Sequence, residues 1–159
     1  LEARAPDQNN AATGCRRTRR STSGGVVLIG GSCLKTWSST QAPIALSSAE
    51  AEYYAMVEAA TRALGLRAML AELGILVQGL AQLSSDASAA SSFASCRGVG
   101  RMRHLETRHI WLQGEVASQR VQVRMIPGEE SPADFLTNIL VHKKRSSSFG
   151  CAVLSVDQT

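Results

Sequence analysis

The sequence predicts an α/β fold formed by one domain. Two strand-like segments flank the glycine pair Gly30-Gly31, and a long amphipathic helix follows them. Strand-like and helix-like segments then alternate, so that the whole chain has the order ββαβααβα, which is typical of a sheet covered by helices. With 159 residues and 44% hydrophobic content, the chain is long enough for one core and short for two.

The composition favours an intracellular protein with a mild preference for polyanions. Its 17 Lys and Arg residues against 13 Asp and Glu give a net charge of +4, which favours a nucleic-acid partner but is also ordinary for a small domain. The 4 cysteines have no CxxC spacing and no histidines at zinc-finger spacing, so reduced thiols are expected. No segment reaches the roughly 18 apolar residues of a membrane helix, and no membrane partner is predicted. A first residue other than Met suggests a fragment, a processed product or an excised domain.

A basic loop and a hairpin are the first predicted features, after a polar segment without a strong element. The loop contains Arg16, Arg17, Arg19 and Arg20, and the hydroxyl residues Ser21, Thr22 and Ser23 follow it. These residue types are common donors to phosphate oxygens, which makes the segment a candidate nucleic-acid contact; a solvated loop fits the composition equally well. Val26–Ile29 is apolar and rich in β-branched residues, and Ser32–Ser38 alternates after the glycine pair, which predicts an antiparallel hairpin.

The long helix begins at Ser47, where a capping box with Glu50 is predicted, and ends before Gly74. Its apolar stripe consists of Tyr53, Met56, Val57, Ala60, Leu64, Met69, Leu70 and Leu73. Glu52 lies beside this stripe, where an ionised carboxylate needs a partner such as a metal ion. The alternative is that Glu52 is solvent-exposed at the edge of the stripe.

Two further acids stand at the ends of predicted elements. Asp86 ends a strand over residues 79–86 and precedes a helix over residues 87–94, so it is either a ligand-binding residue or a helix N-cap. A second basic loop, residues 97–104, leads to a helix over residues 105–116 and a strand over residues 120–126. Asp134 lies in the first turn of a final helix, where it is also favourable to the helix dipole.

His104 and His109 are predicted to be loop and surface residues, and residues 141–159 are predicted to be a basic, mobile tail.

Several short sequence motifs occur in a characteristic order along the chain. They are Arg20–Val26, Trp37–Ser39 with Gln41, Ala45–Ala55, Ser85–Ala89, Gly98–Glu106 and Pro132–Thr137. This series resembles the ribonuclease H domain of copia-type (LTR) retrotransposon Pol polyproteins. The resemblance covers residues 14–140, and it leaves residues 1–13 as a degenerate N-terminal segment and residues 141–159 as the tail.

The resemblance implies a fold and a chemistry. The fold is a ribonuclease H-like mixed sheet, with an antiparallel hairpin side and parallel strands, flanked by helices. The chemistry is hydrolysis of the RNA strand of an RNA–DNA hybrid by two magnesium ions, with manganese as a substitute. Glu52, Asp86 and Asp134 are the implied catalytic metal ligands, and Arg101, Arg103 and His104 join the first basic loop in nucleic-acid binding. The implied partners are the hybrid and the upstream reverse transcriptase region of the same polyprotein, in a cytoplasmic virus-like particle or the nucleus.

The N-terminal segment departs from the family pattern. Asn9 occupies the position of an Asp that bridges the two metal ions, and Ala11 and Ala12 replace the second acid and the Trp of that word. Asn offers a neutral carbonyl, so two-metal binding is expected to be weakened. Asp7 is a substitute ligand only if the register slips by two residues. The first strand is degraded or missing, and the sheet is expected to lack its central member.

Three other functions fit parts of the pattern. A non-catalytic, connection-like remnant would bind nucleic acid through the Arg loops, and Asn9 favours it. An integrase-like nuclease would carry its catalytic Glu on a late helix, whereas Glu52 follows the first hairpin. A purely structural α/β domain would require the series of family words to be accidental.

Overall fold

The computed structural model describes residues 20–98, 107–126, 148–149 and 151–154. Its strands are β1 (Thr22–Ile29), β2 (Ser32–Thr40), β3 (Ala81–Ser85), β4 (Val121–Met125), β5 (Ser148–Phe149) and β6 (Cys151–Leu154). Its helices are α1 (Ser48–Glu72), α2 (Ser88–Ser95) and α3 (Thr107–Ala117). The strands form a mixed sheet against which the helices pack, which confirms the predicted α/β class and is consistent with a ribonuclease H-like fold.

The predicted hairpin is present. β1 pairs antiparallel with β2, in a register that runs from Thr22 opposite Thr40 to Ile29 opposite Ser32. Gly30 and Gly31 make the turn with φ values of 55° and 80°. A side chain is strained at such positive φ, which explains the glycine pair. β1 begins earlier than predicted, because Thr22–Gly25 already pairs with the end of β2.

The ends of α1 lie where the sequence predicts them. The Ser47 hydroxyl accepts a hydrogen bond from the Glu50 N–H at 3.2 Å, which is one half of the predicted capping box. The Glu50 carboxylate accepts from the Leu46 N–H at 2.8 Å instead of from Ser47. At the other end, Gly74 has a φ of 80° and the Ile75 N–H donates to the Leu70 carbonyl, which forms a Schellman cap.

The apolar stripe of α1 is buried only in its first part. Tyr53, Met56 and Ala60 are buried, whereas Met69 is 50% and Leu73 is 69% exposed, so the predicted burial of these last two is wrong. A 25-residue helix is about 37 Å long, whereas the nine-residue β2, the longest described strand, spans about 30 Å. The exposure of Met69 and Leu73 shows that the last turns of α1 lie outside the core.

The second half of the chain builds a parallel pair. β3 and β4 run parallel, with Ala81 opposite Val121 and Ser85 opposite Met125. α2 and α3 connect them and pack on each other and on β4. His109 is buried in α3, so its predicted surface position is wrong. The reason is local packing: its carbonyl accepts from the Tyr53 hydroxyl at 2.7 Å, and its ring lies 4.4 Å from that of Tyr54.

The strand order of the sheet is β2-β1-β6-β3-β4, with β5 also paired to β1. β6 runs parallel to β1 and antiparallel to β3. The prediction of a mobile tail is therefore wrong for residues 148–149 and 151–154, and the expected gap at the centre of the sheet is filled. Without β6, the backbone N–H and C=O groups of β1 and β3 that now pair with it would be unpaired. A strand that pairs with both is therefore favoured at this position. Residues 1–19, and with them the degenerate first strand, lie outside the described residues, as do the proposed boundaries at residues 13 and 140.

Candidate active site

The sheet topology brings three chain segments to one end of the sheet. β3 and β4 are parallel, so their last residues, Ser85 and Met125, lie side by side. β6 is antiparallel to β3 and parallel to β1, so β1 starts at the end where β3 finishes. Asp86, which follows β3, therefore lies at the same end of the sheet as the segment that leads into β1. The carboxyl ends of parallel strands are where open α/β sheets place ligands.

A buried glutamine attaches the start of α1 to this end of the sheet. The Gln41 side-chain amide donates to the Ser23 hydroxyl at 2.8 Å and to the Ala51 carbonyl at 2.7 Å. Its backbone N–H donates to the Ser21 carbonyl at 2.8 Å. Glu52 directly follows Ala51, so Gln41 positions the helix turn that carries it. The sequence marks Gln41 only as part of a family word, because a glutamine in a loop shows no periodicity that would reveal this contact.

Glu52 and Asp86 form an acidic pair. Burial raises the pKa of the half-buried Glu52 carboxyl above its ordinary value, and the nearby charge of Asp86 raises it further. Asp86 is exposed. The raised pKa means that the folded protein disfavours the charged form of Glu52, first because of burial and then because of the charge of Asp86. A cation held by both carboxylates would offset the repulsion between them.

Neither acid has a structural partner within the part of the chain that the structure describes. No hydrogen bond or ion pair there involves Glu52 or Asp86, whereas Glu58 and Glu115 each pair with an arginine. The alternative that Asp86 is the N-cap of α2 is wrong, since the cap residue is Ala87 and no side chain caps the helix. Two carboxylates without a cationic partner suit a hard divalent ion. Among the described residues, no group of three or more His, Cys, Asp or Glu side chains is arranged to hold a metal.

Glu50, two residues before Glu52, has a different position. Its side chain is buried and accepts hydrogen bonds from the Tyr54 hydroxyl at 2.5 Å and from the Leu46 N–H. The neighbouring Tyr53 is also buried, which raises the pKa of its phenol, and its ring meets that of Phe93 edge-on at 4.7 Å. Glu50 and the tyrosines thus fix the first turns of α1, and they leave Glu52 on the side of Asp86.

The first basic loop is described only at its end. Arg20 is exposed and Thr22 is partly exposed, whereas Ser21 and Ser23 are buried and the Ser23 hydroxyl holds Gln41. A nucleic-acid role for these four residues stays a prediction. The other predicted site residues lie outside the described residues; they are Asp7, Arg16, Arg17, Arg19, Arg101, Arg103, His104 and Asp134.

The Asp86→Asn variant is expected to lower the pKa of Glu52 without bringing it to its ordinary value, because burial remains. For a carboxyl with a raised folded-state pKa, stability is fully present below the unfolded value of about 4.5 and is lost as pH rises through the folded value. In Asp86→Asn this loss should occur over a narrower pH range. Carboxyl ¹³C titration by NMR checks the shift, with Glu58→Gln as the matched control. An unchanged Glu52 titration in Asp86→Asn would contradict the coupling.

Comparisons with known proteins give one informative result. No family model and no solved structure matches the chain. Over 126 residues, or 79% of its length, the chain is 29% identical to the retrovirus-related Pol polyprotein from transposon TNT 1-94 of Nicotiana tabacum. The match spans 10% of that polyprotein. None of the described helices has the length and hydropathy needed to cross a membrane. The match in sequence shows that the chain is homologous to a short region of a retrotransposon Pol polyprotein.

Proposed function

We propose that the chain is the ribonuclease H-type nuclease region of a retrotransposon Pol polyprotein, which hydrolyses the RNA strand of an RNA–DNA hybrid. The observation that carries the proposal is the acidic pair of Glu52 and Asp86 at the carboxyl end of β3, where neither acid has a neutralising partner among the described residues. Homology to a retrovirus-related Pol polyprotein supports it, because the sequence motifs of the chain resemble the ribonuclease H domain of such polyproteins. The upstream reverse transcriptase region is the proposed partner within the polyprotein.

Glu52 and Asp86 are the residues that would hold magnesium, or manganese in its place. A divalent ion held there would supply an activated water and would neutralise charge on the phosphate. Glu52 must be ionised to act as a ligand, and its raised pKa means that binding is weakened at acidic pH. Gln41 and Glu50 act as positioning residues, since Gln41 holds the Ala51 carbonyl and Glu50 holds the Tyr54 hydroxyl, on the turn that carries Glu52. Asp134 is proposed as a further ligand.

The segment before β1 is proposed to contact the phosphates. Arg20 is exposed at the same end of the sheet as the acidic pair, and Thr22 follows it at the first position of β1. Charged and hydroxyl donors at the same end of the sheet as the acids suit a nucleic-acid backbone. The 2′-hydroxyl groups would distinguish the RNA strand from DNA.

A second candidate function is binding of the hybrid without cleavage. Asn9 favours it, because a neutral amide replaces the carboxylate that the family uses to bridge two ions. In this case affinity for the hybrid would fall steeply with salt and would depend on the first basic loop. Cleavage would be absent in either metal.

Cleavage of an end-labelled RNA–DNA hybrid in magnesium and in manganese tests both functions. The unmodified chain is compared with Asp86→Asn and with Asn9→Asp. Cleavage by the unmodified chain that Asp86→Asn abolishes supports the nuclease. Cleavage by Asn9→Asp alone shows a nuclease site inactivated at one position. Binding without cleavage in all three chains supports the second function and overturns the first.

A further inference from the structure

The centre of the sheet is filled by the last described strand of the chain. β6 pairs with β1 at residues 27–29 and with β3 at residues 81–84. β5 adds a short parallel pairing with β1 at Ser23 and Gly24. No direct pairing joins β1 to β3. Among the described residues, the two halves of the sheet are therefore held together in the plane of the sheet only by β6, with β5 adding its short pairing to β1.

Without β6, a groove would separate β1 from β3. Its width would be two strand spacings, about 9.5 Å, which is too wide for the rims to pair with each other. Val27 and Leu83 face each other across β6, both in register with Ala152, and they are 0% and 1% exposed. An empty groove would therefore leave unpaired backbone groups on both rims beside two of the most buried apolar residues. α1 packs along the same strands and forms a wall of the groove.

We propose that this groove is a strand-binding site that accepts residues 148–154 from a second copy of the chain as well as from its own. The proposal does not depend on the proposed nuclease activity. A second copy carries the same segment, so the segment can pair with β1 and β3 of the first copy. Every backbone pairing of β5 and β6 is the same whichever copy supplies them. Residues 126–147 separate β4 from β5, and a chain of this length spans roughly 70 Å when fully extended, which is enough to reach a neighbouring molecule.

The protein concentration decides whether the groove binds the strand of its own chain or that of a second copy. A tethered strand has an effective concentration in the millimolar range, so a chain closes on its own strand when it is dilute. Exchange is expected when the protein is concentrated, or when its own strand is impaired. Exchange of one identical element between copies is a low-cost route to a dimer.

The test uses the full chain with the substitution Val153→Pro. Val153 lies between Leu28 and Gln82, and a proline in a central strand removes an N–H from the ladder. Amide hydrogen exchange of residues 27–29 and 81–84 should accelerate in this variant. A synthetic peptide of residues 148–154 should restore protection, by about tenfold at a concentration ten times its dissociation constant. The matched control is the same peptide with Val153→Pro, which should restore none.

Two results would overturn the proposal. One is full protection of β1 and β3 in the Val153→Pro chain without peptide, since the groove would then not depend on β6. The other is accelerated exchange that the peptide does not reverse. Should the variant aggregate, the mass of the unmodified chain at rising concentration decides: a dimer that excess peptide disperses supports the proposal, and a monomer throughout, or a dimer that the peptide leaves intact, rejects it.

Discussion

Glu52→Gln and Asp86→Asn should each weaken magnesium binding by at least about 10-fold while leaving the fold intact. Groups that merely orient metal ligands already contribute about 10- to 100-fold to metal affinity, so loss of a ligand should cost no less. Folding should persist because neither acid has a hydrogen bond or ion pair among the described residues, and because each substitution relieves the repulsion between the two. Isothermal titration calorimetry with magnesium measures the affinity, and circular dichroism checks the fold.

Glu58→Gln is the matched control for this experiment. Glu58 lies on the same helix, but its carboxylate is occupied by Arg62 at 2.6 Å and by the Ser39 hydroxyl at 2.7 Å. Its substitution should therefore leave magnesium affinity unchanged. Equal affinity in the unmodified chain, Glu52→Gln and Asp86→Asn would reject the metal site, whatever the cleavage assay shows.

Glu50→Ala is expected to lower the free energy of unfolding by about 3 kcal/mol, because hydrogen bonds to a buried charged group are worth about 1.5–3 kcal/mol and their donors would lose their acceptor. The Leu46 N–H and the Tyr54 hydroxyl are these donors. Urea denaturation measures the change. The control Glu58→Ala removes a partly exposed ion pair and should cost no more than about 1 kcal/mol.

The opposite ranking of the two variants would contradict the assignment of Glu50 as the structural acid. The pair of experiments thus separates two glutamates that stand two residues apart. Substituting Glu50 should change stability, and substituting Glu52 should change metal affinity.

Local sequence signals predicted the elements that depend on local contacts. The glycine pair of the hairpin, the Ser47 cap and the Gly74 stop each act within a few residues, and each is found where it was predicted. Glu52 stood out because its carboxylate lacked a structural explanation, and the structure gives it a charged neighbour, Asp86, rather than a partner. The two interpretations of Asp86 could be separated only once the cap of α2 was seen to be Ala87.

Features that depend on distant contacts were not predictable in the same way. β6 has four residues, too few for a clear alternation, and it is a strand because two other strands lie on either side of it. The burial of His109 likewise depends on tyrosines of α1 that are far away in the chain. Gln41 clamps a strand to a helix through two buried hydrogen bonds, and no pattern around it indicates this.

The position of β6 also determines when the protein can finish folding. The hairpin, α1 and the β3–β4 pair consist of contacts that can form as each segment leaves the ribosome, but β1 cannot be joined to β3 until residues 151–154 have been synthesised. Such pairings between distant parts of a chain close slowly, because a long loop must be ordered first. During translation the nascent chain therefore exposes two open strand edges, the condition in which partly folded chains associate. A central strand that is synthesised after its neighbours therefore lengthens the time during which partly folded copies of this chain can associate.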